Sequence, residues 1–260
     1  MNWQPVDCHA HSTFSDGALA IPEVVERAAA LGVRPSMSDH ISRDVSRTID
    51  SVDGVRQYLD TLDRYDVLRG GEFCYHDSLW REIPDDLVAR FTHRIGSLHA
   101  IRLDGGTLLH VFSRRPIGGL TADAYMDAHV AWLEQFAREM PVDILAHPTL
   151  VAIPFRQTDA ALLWTDARED RVVGALFAAG IAFEISNRYP PPERLVKRAV
   201  DRGVRISLGS DGHTLEQVAD VARPLALARK LGVPDSALYD PLAHGSKTHA
   251  ELLDHKVRRA

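Results

Sequence analysis

Two cysteines, Cys8 and Cys74, are all that the 260 residues contain. That number is too small for a disulfide framework and suits a reducing compartment. Long apolar runs are missing as well: no stretch approaches membrane-spanning length, and the opening MNWQPVDCHAHS has neither a basic n-region nor an apolar h-region. A cytoplasmic location with no membrane partner is therefore expected. Positive charge is not in excess, since 30 Lys and Arg stand against 36 Asp and Glu for a formal net charge of -6. Without a broad cationic field, long nucleic acid is not an expected partner, although a small anion drawn to bound cations is. No tandem repeat, low-complexity tract or Gly/Ser linker divides the chain, so residues 1–260 read as one domain.

What the chain does have is a rhythm. Short apolar runs that look like buried strands recur as Pro5 to His9, Arg34 to Asp39, Asp66 to Glu72, His93 to His99, Val142 to His147, Ile181 to Ser186 and Val204 to Ser210. Helical spacing predicts helices at Ile21 to Leu31, Ala122 to Glu139, Asp166 to Ala179, Pro192 to Arg202 and Leu215 to Leu231, the last broken or kinked at Pro224. Pro22 and Pro192 sit near helix starts, and Gly32, Gly180 and Gly203 just past helix ends. Strand, helix, Gly, strand is the pattern of repeated βα units and a parallel sheet. Periodicity alone leaves a closed barrel and an open doubly wound sheet as alternatives. Residues 101–120 depart from the rhythm: the Asp104-Gly105-Gly106 turn signal predicts a hairpin beside the site, as a lid or specificity loop. The polar tail 243–260 is expected to be peripheral.

The metal-capable residues fall at strand ends. His9 and His11 close the first predicted strand, Asp39 and His40 the second, Glu72 the third, His99 the fourth, His147 the fifth, Glu184 the sixth, and Asp211 with His213 the seventh. In barrels and open α/β sheets ligands gather at the carboxyl ends of strands, so these residues are placed to converge. His9 and His11, two apart, share a face of an extended strand and can bind one ion. A mixture of imidazole and carboxylate suits zinc, manganese or iron, and Glu72 can bridge two ions through its two oxygens. Taken singly, each histidine is better read as core or surface, and it is the joint pattern that reverses that reading.

Asp7-Cys8-His9-Ala10-His11-Ser12, Phe14-Ser15-Asp16-Gly17, Ser38-Asp39-His40, Gly71-Glu72, Ser97-Leu98-His99, Ala146-His147-Pro148 and Gly209-Ser210-Asp211-Gly212-His213 together resemble the PHP (polymerase and histidinol phosphatase) family. The motifs run in the family's order from Asp7 to His213. The resemblance implies an α/β fold, a distorted (β/α)7 barrel, and two or three divalent transition-metal ions (Zn, Mn or Fe). It implies one ion on His9, His11, Glu72 and Asp211, a second on Glu72, His99 and His147, and a third on Asp16, His40 and His213, with Asp16 standing where some relatives carry histidine.

Such a cluster predicts hydrolysis of a small phosphorylated substrate by metal-activated hydroxide. Glu72 and Asp39 are the expected catalytic residues, Asp39 as leaving-group acid or as orienter of a neighbouring histidine. Asp7, on the face of His9, is expected to support that ring, and Glu184 to line the pocket. Arg188, Arg156 and Asn187 are the expected substrate-binding residues, arginine's fork being matched to phosphate. Gly96-Ser97-Leu98-His99-Ala100-Ile101 resembles the signature of the histidinol phosphatase branch. A nucleotide or oligonucleotide phosphoesterase on the same metal core is the alternative, and a non-catalytic accessory module a third. The remaining histidines, His76, His93, His110, His129, His244, His249 and His255, read as structural or surface, with His129 solvated. The oligomeric state is not legible.

Overall fold

In the computed structural model, residues 4–45, 47–103, 106–114 and 118–245 are described. The elements in chain order are α1 (Ile21–Ala30), β1 (Ser36–Met37), β2 (His40–Ile41), α2 (Val52–Leu62), β3 (Leu68–Arg69), β4 (Glu72–Cys74), α3 (Leu79–Glu82), α4 (Asp85–Val88), β5 (Ile95–Ser97), β6 (Ala100–Arg102), β7 (Leu108–His110), α5 (Ala122–Glu139), β8 (Ile144–Leu145), α6 (Ala160–Leu163), α7 (Asp166–Ala179), β9 (Ala182–Ser186), α8 (Glu193–Arg202), β10 (Ile206–Gly209), α9 (Ala222–Lys230) and α10 (Pro241–His244).

Six strands form one parallel sheet in the order β10-β9-β8-β5-β4-β2, and β1 pairs in parallel with β3. The segment before α1 joins the two margins. Cys8 N donates to Leu208 O (2.9 Å) and His11 N to Gly212 O (3.0 Å) on one side, while Arg34 N donates to Pro5 O (2.9 Å) and Ser38 N to Ala10 O (2.7 Å) on the other. Seven chain segments thus follow one another around a closed ring, the distorted (β/α)7 barrel. Core packing agrees with closure, because alternate residues of a strand serve opposite faces. Ile144 and Ala182 belong to an inner cluster with Val6, Cys8 and Ile95, whereas their neighbours Leu145 and Phe183 pack outward against the helices.

Helix ends obey local chemistry. Ser51, Thr121 and Thr165 each accept a backbone N–H at the start of α2, α5 and α7, and α7 and α8 end on Gly180 (φ 68°) and Gly203 (φ 87°), a conformation that a Cβ disfavours.

The structure corrects several expectations. Pro5 to His9 supplies bridges rather than a regular strand, and the second and third predicted strands are each split in two, so that His40 and Glu72 open β2 and β4 instead of closing longer strands. The expected helix Leu215 to Leu231 is confined to α9, with Pro224 in its first turn, where a missing N–H costs nothing. Helix α2 was not anticipated, although Ser51 and the spacing of Val55, Tyr58, Leu59 and Leu62 carry its signal. His129 is buried in α5, not solvated. Strands β6 and β7 pair antiparallel over Ala100 to His110, while residues 104, 105 and 115–117 of the predicted hairpin region, and 246–260 of the tail, lie outside the described residues.

Candidate metal centre

At the carboxyl end of the barrel the nine residues singled out from motif order meet. His9, His11 and Glu72 are fully buried, and His40, His99, His147 and Asp211 nearly so. Glu72 is the hub. Its Oε2 lies 3.5 Å from His9 Nε2, 3.8 Å from His11 Nε2 and 2.6 Å from His40 Nδ1; its Oε1 lies 3.3 Å from His99 Nε2 and 3.1 Å from His147 Nε2. Asp211 Oδ1 stands 3.4 Å from His11 Nε2 and 3.8 Å from His9 Nε2. Asp16 Oδ1 faces His213 Nε2 at 3.2 Å, His40 Nε2 at 3.5 Å and His11 Nδ1 at 3.9 Å. In space His11 thus stands with Asp16, His40 and His213 as well as with His9 and Asp211, and His40 also joins Glu72 and His99. These groupings overlap the three implied sets without reproducing each one.

The donors fit metal ions on an independent ground. His9 Nε2, both ring nitrogens of His11, His40 Nδ1, Asp16 Oδ1 and Glu72 Oε2 are buried without a hydrogen-bond partner. Orphaned polar atoms of this kind are costly, and here they converge on one place. Two ligand atoms bound tetrahedrally to one zinc-sized ion lie roughly 3.4 Å apart, a spacing that most of the separations above bracket.

Electrostatics favour the ligating protonation state at Glu72, Asp211, His11 and His99, whereas the carboxylates around His9 and His40 raise those two rings against the effect of burial. Burial alone would raise the Glu72 carboxyl, but His40, His99 and His9 hold it well below its usual range. Asp211 is likewise lowered, against the effect of burial, by the His11 and His9 rings that face it. Burial depresses His11 and His99 to about 3, leaving both rings neutral with a lone pair to offer.

A ring of supporting contacts orients the donors. Contrary to expectation, Glu184 does not line the cleft; it is fully buried behind it, its Oε1 accepting from His9 Nδ1 (2.7 Å) and its Oε2 from the His147 backbone N–H. His9 Nε2 is thereby turned inward. Cys74 Sγ lies 3.1 Å from His99 Nδ1 and does the same for that ring. Burial pushes both cysteine thiols up, so neither is a thiolate nucleophile. Asp7 accepts from Ser210 N–H, Ser210 hydroxyl, Ala219 N–H and His9 N–H, fastening the first motif to the last. The loop Gly209 to His213 closes tightly enough that a Cβ on Gly209 would collide with the Glu184 carboxylate and come within 2.9 Å of His9 Cβ. Asp211 (φ 50°) and His147 (φ 29°) hold positive-φ backbones, strain of the kind that gathers at functional sites.

The centre opens into a cleft of about 400 Å³ whose walls include His40, His99, His147, Arg188 and Tyr189. Of the expected substrate contacts, Arg188 is there, half-exposed, with Nη1 2.7 Å from His213 Nδ1. Arg156 is not. It donates to the carbonyls of Val151 and Val111 and lines a neighbouring cavity of about 270 Å³, which shares Arg188 and Tyr189 with the cleft. Asn187 lines neither; its Nδ2 donates to Asp220 Oδ2 at 3.1 Å. Asp39 is fully buried outside the cleft wall, its oxygens accepting from the N–H and hydroxyl of both Ser12 and Ser15. Sequence reasoning missed Tyr189 and Phe112, whose side chains flank the cleft; an aromatic after a strand carries no signal that separates wall from core.

No family model matches the chain. A crystal structure from Listeria monocytogenes, of a protein provisionally named as the histidinol phosphatase hisK, superposes with a TM-score of 0.70 at 15% identity, covering 84% of this chain and 99% of that one. The two chains share a fold. A curated relative, the DNA polymerase/3'-5' exonuclease PolX of Bacillus subtilis (strain 168), is 26% identical over 235 residues, 86% of this chain. This chain spans 37% of that relative's length. Among the described residues no helix is long and apolar enough to cross a membrane.

Proposed function

We propose that the protein is a metal-dependent phosphoesterase, acting on a small phosphomonoester in the manner of a histidinol phosphatase, with a cytoplasmic location. The observation that carries the reading is the convergence of unpartnered, buried imidazole and carboxylate atoms around Glu72. His9, His11, Glu72 and Asp211 would hold one divalent ion, Glu72, His99 and His147 a second, and Asp16, His40 and His213 a third. When bound, Zn, Mn or Fe ions lower the pKa of a shared water and neutralise phosphate charge.

The chain's own residues do the rest. Glu184 and Cys74 fix the two imidazoles they touch, so no reorganisation is left for the moment of reaction. Arg188, at the cleft wall beside His213, presents a planar fork to phosphate oxygens. Asp39 is a positioning residue: with its oxygens engaged by Ser12 and Ser15, it anchors the loop that carries Asp16 instead of donating to a leaving group.

A second reading, a nucleotide or oligonucleotide phosphoesterase, is favoured by Phe112 and Tyr189, since aromatic faces beside a cleft can stack a base. The test is a panel of phosphomonoesters offered to protein of assayed metal content. Phosphate released from histidinol phosphate or other small phosphomonoesters, and not from nucleotides or short oligonucleotides, is the expected result. The reverse preference supports the second reading, and hydrolysis of neither class overturns both.

A further inference from the structure

The nine residues of the centre do not exhaust the metal-capable groups. Asp44, in the loop after β2, His76, in the turn after β4, and His110, at the end of β7, come together, with Asp44 and His110 lining the same cleft and His76 behind them. His76 Nε2 lies 3.0 Å from Asp44 Oδ2, His110 Nε2 lies 3.6 Å from the same oxygen, and the two rings stand edge to face with centroids 5.5 Å apart. The His76 side chain is only 1% exposed, yet neither of its ring nitrogens has a hydrogen-bond partner; the approach to Asp44 is close without being aligned. A buried imidazole with both nitrogens unsatisfied is expensive unless something outside the protein takes a lone pair.

We propose that Asp44, His76 and His110 form an auxiliary binding site for one transition-metal ion of the zinc class, separate from the nine residues of the centre. Two imidazoles and one carboxylate are a ligand set that zinc accepts, with the fourth position left to water or to a substrate group. The separations of 3.0 and 3.6 Å straddle the roughly 3.4 Å expected between two donors on one tetrahedral ion. Burial lowers the pKa of His76 against the pull of Asp44, which favours the neutral ring that a metal requires. The three donors come from three separate chain segments, so an ion would tie the β6–β7 hairpin to the loops after β2 and β4 and stiffen one wall of the cleft.

The site stands on its own residues and does not depend on the hydrolytic reading. The test is metal counting by plasma mass spectrometry on protein equilibrated with zinc, comparing the unaltered chain with His110→Ala, whose half-exposed side chain can be removed without disturbing the core, and with His76→Gln. Each variant is expected to hold one zinc fewer. In an Asp211→Asn background, which weakens the main centre, His110→Ala is expected to remove one further equivalent, so that failure of the main centre and failure of the rim site are distinguishable. Amide exchange across Ile101 and Leu109 is expected to slow on adding zinc to the unaltered chain and not to His110→Ala. Equal zinc content in the unaltered chain and both variants, or hairpin exchange indifferent to zinc, overturns the proposal.

Discussion

Glu184 Oε1 sits 2.7 Å from His9 Nδ1 with both side chains fully out of solvent. One ring nitrogen is thus held, and the other, unpartnered, faces Glu72 and Asp211. Replacing Glu184 with Gln removes the charge that orients and enriches the imidazole. Metal affinity is expected to fall by about 10–100-fold. Competition titration against a chromophoric chelator reads it, and unchanged affinity would remove Glu184 from the account.

Glu72 reaches four imidazoles with its Oε1 and Oε2 within 3.5 Å, and a fifth at 3.8 Å. Glu72→Gln is expected to abolish phosphatase activity while the yield of folded protein stays near that of the unaltered chain, because the barrel around it is closed by other contacts. Chelation should inactivate the enzyme reversibly, with activity returning on addition of Mn, Zn or Fe. Full activity in the variant argues against Glu72 as the bridge.

Gly209 passes beneath the centre where no side chain fits. Gly209→Ala forces Glu184 and His9 apart, an overpacking expected to destabilise the fold by about 1–3 kcal/mol and to weaken metal binding together with it. Denaturant unfolding of metal-free protein isolates the first effect. A variant as stable as the parent, with parental metal affinity, contradicts the packing argument.

His129 lies wholly buried in α5, and burial lowers its pKa to about 4 from an ordinary value of 6.5. Between those values the unfolded chain binds a proton that the folded chain refuses, so stability is complete above pH 6.5 and falls as the pH drops toward 4. The loss attributable to this ring is up to about 3 kcal/mol. In His129→Leu that part of the acid slope should vanish, as measured by denaturant unfolding at pH 7.5 and pH 4.5; an unaltered slope places the acid sensitivity elsewhere.

Legibility followed the physics of each signal. Histidines and carboxylates at the ends of apolar runs could be read directly, because a strand end is visible as the place where an apolar run stops. Seven such places in order implied convergence, and His9, Glu72, His147 and Asp211 do converge. Local signals misled where tertiary packing overrode them. A histidine within a helical repeat suggests a solvated ring, yet His129 shares the buried face of Tyr125, Met126 and Leu133, and the Trp164 ring packs edge-on against it. Asn187 follows a strand just as Arg188 does, but the backbone there turns one side chain to Asp220 and the other to the cleft. Asp39 adjoins a ligand in sequence and faces the Ser12–Ser15 loop in space.

By itself the amino-acid order determined the repeated βα pattern, the identity of the donors and the chemistry they suit, since those depend on residue type and spacing along one chain. Only the folded chain decided which donors share an ion's reach, that Glu184 stands behind His9, and that Asp44, His76 and His110 form a neighbouring cluster. Those relationships depend on distances between segments tens or hundreds of residues apart, which the closure of the barrel sets and no local pattern encodes.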